Sequence, residues 1–192
     1  MVHENMLKFY LNRELSIRLG VPLSRWKRWS REFLPPDPLG GLQSGYARQY
    51  SMKDAFYVYF AGYLVSAMGF SIPEARQILH DLNGWLKKNI LVHYDLAVDP
   101  ENGSIIDGSR IDLMIIPVQR KTSPAFAYHI RSLIERKSFS EGDMTLWQEK
   151  FTEQVIKPGE LLRTGCYPAC PRWVEMSALV GHFFMQMKSK EI

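Results

Sequence analysis

Two short helical patterns separated by Gly20-Val21-Pro22 constrain this chain more than any other feature of its sequence. Leu11, Leu15 and Leu19 recur every four residues, which places them on one face of a helix over residues 12–19. Gly20 ends that pattern, because only glycine enters the left-handed conformation without steric cost. A second helix is predicted from Leu23 to Phe33, with Ser24 as its cap and with Trp26, Trp29 and Phe33 sharing a face at i, i+3 and i+7. That face must be buried. The opposite face then carries Arg25, Lys27, Arg28 and Arg31 into solvent, and Pro35-Pro36 ends the helix.

The stretch from Pro36 to Ser51 is rich in Gly and Pro and closes with Tyr46-Ala47-Arg48-Gln49-Tyr50, whose alternation predicts a short strand in a hairpin or wing. Ser51 and Asp54 open a long helix that runs to about Met68, with Phe56, Tyr59, Phe60, Tyr63, Leu64 and Ala67 at three- and four-residue spacing. After Gly69, Ser71 and Glu74 start another helix, expected to reach about Leu82. Beyond it the pattern changes. Residues 91–98 and 110–118 alternate as two strands, with residues 99–103 in the loop between them. Residues 125–136 and 151–162 fit strand and helix equally, and residues 172–187 read as a final helix with a broad apolar face. The expectation is an α+β protein: a mostly helical winged helix-turn-helix in residues 1–88, then a smaller mixed α/β region in residues 89–192.

Composition narrows the classes of function. Hydrophobic residues make up 46% of the 192 and charged residues 23%, enough apolar material for a folded core. No apolar run approaches the roughly 18 residues of a membrane span, and the start, Met1-Val2-His3-Glu4-Asn5, lacks the order of a signal peptide, so a cytoplasmic protein without a membrane partner is expected. Residues 1–90 carry 12 Lys or Arg against 7 Asp or Glu, whereas residues 91–192 carry 12 against 13. Eight of the basic residues fall between Arg13 and Lys53, against the acids Glu14, Glu32 and Asp37. Localised positive charge is the footprint of a nucleic-acid surface. A helix fits the DNA major groove, where its outward side chains reach base edges and flanking cations meet phosphates. The wing would set Arg48 on a neighbouring phosphate.

The order of motifs resembles the MerR family of bacterial transcription regulators. The matching residues are Glu14-Leu15-Ser16, Leu19-Gly20-Val21, Trp26-Lys27-Arg28-Trp29 with Arg31-Glu32, and Leu34-Pro35-Pro36. Further on come Gly45-Tyr46-Ala47-Arg48-Gln49-Tyr50-Ser51 with Asp54, and Met68-Gly69-Phe70-Ser71-Ile72-Pro73-Glu74-Ala75. The resemblance spans about residues 8–83. It implies a winged helix-turn-helix that binds duplex DNA, with Lys27 at the recognition-helix arginine position, Trp29 at the aromatic position that follows, and Arg48 as the wing arginine that meets phosphate. The expected DNA-binding residues are Ser24, Arg25, Lys27, Arg28, Arg31, Tyr46 and Arg48. The chain departs from the family at Ser30, which stands where a glutamate is usual. It also has a long, glycine-rich wing loop and no heptad repeat after Gly84 to form a dimerisation coiled coil.

Other chemistry finds little support. Cys166 and Cys170 are two thiols without a matching second pair of metal ligands, and His80, His93 and His129 are isolated. No phosphate loop, nucleophile elbow or His-Glu-x-x-His motif occurs. The expectation is a transcription regulator with no metal and no cofactor, not an enzyme. Its partner is double-stranded DNA, with the C-terminal region left to a small-molecule or protein effector or to a homodimer contact. Two readings compete with it. One is a protein-interaction module that reuses the helix-turn-helix scaffold. The other is an enzyme or small-molecule-binding protein with its site in residues 90–192, in a pocket lined by Trp147, Tyr128 or Trp173.

Overall fold

Capping residues account for where two helices of the N-terminal half begin, at Ser51 and Ser71. In a computed structural model of the chain, the described residues are 9–37, 47–91, 110–118, 125–142, 144–157 and 170–188. They form a mixed α+β structure that divides into two compact units, residues 1–105 with 181–192, and residues 106–180.

In the first unit, β1 (Tyr10–Leu11) leads into α1 (Asn12–Arg18), and α2 (Leu23–Phe33) follows across Gly20, which sits at φ +64° as the turn requires. Ser24 does not cap α2. The helix begins one residue before it, with Pro22 in the capping position and the Pro22 carbonyl accepting from the Trp26 amide at 2.9 Å. β2 (Gln49–Tyr50) is the strand expected after the wing loop, but its described partner is β1, antiparallel, with Tyr10 opposite Tyr50. Residues 38–46, with Tyr46 and most of the expected wing, lie outside the described residues.

α3 (Met52–Ser66) and α4 (Ile72–Asn89) each start with a reciprocal capping box, Ser51 with Asp54 and Ser71 with Glu74, as the sequence predicts. α4 continues well past Leu82. Leu82, Leu86 and Ile90 extend its buried stripe, and nothing lies within 4 Å of where a side chain at Gly84 would point, so that glycine interrupts neither packing nor helix. The expected strand at residues 91–98 falls almost wholly outside the described residues. Lys87 to Asn89 are the last residues of the helix.

The second unit is a four-stranded antiparallel sheet of β3 (Ile111–Val118), β4 (Ala125–Glu141), β5 (Met144–Ile156) and β6 (Arg172–Glu175), in the order β5-β4-β3-β6. Of the two ambiguous segments, residues 125–136 and 151–156 are strand, and residues 158–162 lie outside the described residues. Leu113, Ile115, Tyr128, Ile130 and Val174 share one buried face, and Asp112 and Ala127 on the other face are buried too, so β3 and the start of β4 lack the strict alternation of a strand with one exposed face. Arg172–Glu175 pairs with β3 and does not open the last helix; sequence spacing alone cannot register that cross-strand pairing. α5 (Met176–Lys188) follows at once. Its residues to Val180 group with the sheet and those from Gly181 with the helices. In the helical unit Phe183 packs edge-on against Phe56, ring centres 5.3 Å apart, and buried Arg18 donates to the Met187 carbonyl at 2.7 Å while pairing with Glu14 at 2.9 Å. Among the described residues, no helix is long and apolar enough to cross a membrane.

Candidate nucleic-acid interface

The rotation of α2 is fixed from three sides. Trp26 is wholly buried, and its ring meets the Tyr50 ring edge-on at 5.9 Å. One turn on, Trp29 lies against Gly62 of α3 so closely that no side chain at that position would fit. On the same side Ser30 is buried within 2.5 Å of the Tyr50 hydroxyl, which itself donates to Asn12 Oδ1 at 2.7 Å. Since the phenol has one proton and gives it to Asn12, Ser30 donates to Tyr50. Burial pushes the Tyr50 phenol above its usual value, partly offset by the Ser30 bond. The serine that departs from the family pattern thus closes a buried polar link between α2, β2 and α1.

With the tryptophan side locked inward, Ser24, Arg25, Lys27, Arg28 and Arg31 are all exposed. Glu32 is the only acid on α2, and it stands four residues from Arg28, where it could neutralise that arginine. It does not: Arg76 of α4 engages both the Glu32 carboxylate and, at 2.9 Å, the Glu32 backbone carbonyl. The cations of α2 therefore keep their field.

The expected residues separate into two groups. Ser24, Lys27, Arg31 and Arg48 line one open groove of about 1000 Å³, joined there by Arg13 from α1. Arg25 and Arg28 lie on the exposed flank of α2 outside that groove. Arg48 is less free than the wing reading implied. It donates to the Pro35 carbonyl at 2.9 Å, with its guanidinium 5.6 Å from the Tyr50 ring centre, so it also ties the segment before β2 to the end of α2. Tyr46 lies outside the described residues. Arg13 was legible only as one charge in the basic stretch, because its approach to the α2 face depends on the packing angle of α1. Asp37 and apolar residues such as Leu23, Leu34 and Pro36 line the same groove, so it is the four cations among them that can receive a polyanion by charge-assisted hydrogen bonds.

The other candidate chemistry disperses. Tyr128 is part of the sheet core, whereas Trp147 and Trp173 are exposed, so these three do not line one pocket. Cys170 is an exposed free thiol, and Cys166 and His93 lie outside the described residues. Among the described residues, no three His, Cys, Asp or Glu side chains gather as metal ligands. No protein-family model matches the chain, and no curated protein matches it.

Proposed function

We propose that this chain is a DNA-binding transcription regulator. Residues 8–83 act as a MerR-like winged helix-turn-helix, α2 enters the major groove of duplex DNA as the recognition helix, and the segment through Arg48 lies against the adjacent backbone. The observation that carries this reading is the outward basic face of α2, held by the buried Trp26 and Trp29 and spared neutralisation by the Arg76 contact to Glu32. A module for an apolar partner would present apolar side chains at those positions, and α2 presents Arg25, Lys27, Arg28 and Arg31. On this reading the phosphate contacts dominate affinity, so binding falls steeply with salt.

Selection from a random duplex pool supplies the probe, and fluorescence anisotropy measures the affinity. Arg28→Ala and Lys27→Ala are each expected to weaken binding while leaving the circular dichroism spectrum unchanged. An arginine that reads a base edge costs about 1–3 kcal/mol when removed, whereas loss of a phosphate contact lowers the salt slope by about one. Affinity unchanged in both variants would overturn the proposal.

A further inference from the structure

The free edge of β5 carries information that the helical unit does not need. β5 is an outer strand of the sheet, 13 residues long, and none of its residues is buried. Among the described residues, only β4 pairs with it. β3 stops pairing with β4 at Ser132, so residues 135–141 of β4 and 144–150 of β5 form a two-stranded ribbon whose residues are mostly exposed. A long exposed edge bearing Trp147 (62% exposed) and Val155 (47%) is a template for another strand, because its main-chain donors and acceptors stand ready for a partner.

The side chains of that edge are symmetric. Successive residues of a strand alternate between faces, so Trp147, Glu149, Phe151, Glu153 and Val155 share one face. Outward from Phe151, a glutamate stands two residues to either side and an apolar residue four to either side. β4 completes the symmetry. Arg136 donates to Glu149 at 2.8 Å, and Arg131 lies 3.2 Å from Glu153, so both acids are already paired. The same arginines cover the neighbouring rings, Arg131 4.2 Å from the centre of Phe151 and Arg136 5.7 Å from that of Trp147. On the opposite face, Leu146 and Ile156 stand five residues to either side of the same centre.

We propose that β5 pairs antiparallel with β5 of a second copy of this chain, about a two-fold axis beside Phe151, joining two four-stranded sheets into one. Such an axis, perpendicular to the sheet, keeps each residue on its own face. It sets Phe151 against the partner's Phe151 and Trp147 against the partner's Val155. Leu146 meets the partner's Ile156, and the arginine-held Glu149 meets the partner's Glu153. Moving the axis by one residue either way removes this match. Centred on Lys150, two lysines oppose each other and Trp147 faces the partner's Glu153; centred on Thr152, Phe151 faces the partner's Glu153. Cross-strand apolar pairs stabilise a sheet, and the Phe151 register forms more of them than either alternative; it does oppose Glu149 to the partner's Glu153, a repulsion that Arg136 and Arg131 beside those carboxylates offset.

The test uses the full chain with Cys166 and Cys170 changed to serine, and it reads association without DNA. Sedimentation equilibrium is expected to show a dimer. Trp147→Lys combined with Val155→Lys, both at exposed positions, is expected to give a monomer with an unchanged circular dichroism spectrum. Register is read by oxidative cross-linking. A mixture of W147C and V155C chains is expected to link to each other, while W147C alone gives no linked product. A monomer at every concentration up to the solubility limit would overturn the proposal, as would a dimer that survives the double lysine substitution or in which W147C links to itself. None of these outcomes bears on whether α2 binds DNA.

Discussion

Trp29 and Gly62 occupy one site between α2 and α3: the indole fills the space that any side chain at residue 62 would need. The outward direction of Arg25, Lys27, Arg28 and Arg31 follows from this contact, because a helix with one flat ring seated against backbone cannot roll. Gly62→Ala forces the indole aside, and overpacking of this kind costs about 1–3 kcal/mol. A lower denaturant midpoint is the expected result. Binding of the selected duplex should also fall under conditions where the variant remains folded. A midpoint equal to wild type would mean that the α2–α3 seam relaxes freely.

The Tyr50 hydroxyl joins Ser30 to Asn12, and Tyr50→Phe keeps the ring against Trp26 while removing both bonds. The Ser30 hydroxyl is then buried without its acceptor, a loss of about 1–3 kcal/mol. The same site gives an alkaline signature. Burial holds the phenols of Tyr10 and Tyr50 neutral beyond their usual 10.0, so the unfolded chain ionises first. Their contribution to stability is complete below pH 10 and is lost as the pH rises through the elevated native values. Urea midpoints at successive pH values should fall above pH 10 for the wild type and fall less for Tyr50→Phe.

Arg76 acts on the candidate interface from a distance. Its contact to Glu32 is exposed and adds little to stability, about 0–1 kcal/mol. Arg76→Ala should therefore leave the melting temperature nearly unchanged. It frees the Glu32 carboxylate to pair with Arg28 one turn away, so DNA affinity is expected to drop. Adding Glu32→Gln to that variant should restore it, and an anisotropy titration of both variants separates this effect from simple loss of a positive charge.

Arg18 is buried between Glu14 and the Met187 carbonyl near the end of α5. Arg18→Ala leaves that carbonyl without its charged donor, and hydrogen bonds to charged groups contribute about 1.5–3 kcal/mol. Thermal unfolding should shift to lower temperature, and hydrogen exchange should show earlier opening of residues 181–188 than in the wild type. Equal protection in both proteins would mean that α5 is held by Phe183 and its neighbours alone.

Elements governed by neighbouring residues were legible from the sequence. Gly20 set the turn, Ser51 and Ser71 set two helix starts, and the spacing of Trp26, Trp29 and Phe33 set which side of α2 turns inward, because caps, left-handed glycines and helical periodicity act over a few residues. Elements governed by distant residues were not. The pairing of β2 with β1, the strand state of Arg172–Glu175 and the choice of strand for β4 and β5 each depend on a partner elsewhere in the chain. So do the finer properties of the candidate interface: that Glu32 is claimed by Arg76, that Arg13 joins the groove, and that Arg48 is tied to Pro35. The sequence by itself determined which cations share the outer face of α2. Tertiary structure decided which of them stay unneutralised, since a charge's field depends on what folds beside it and no periodicity encodes that.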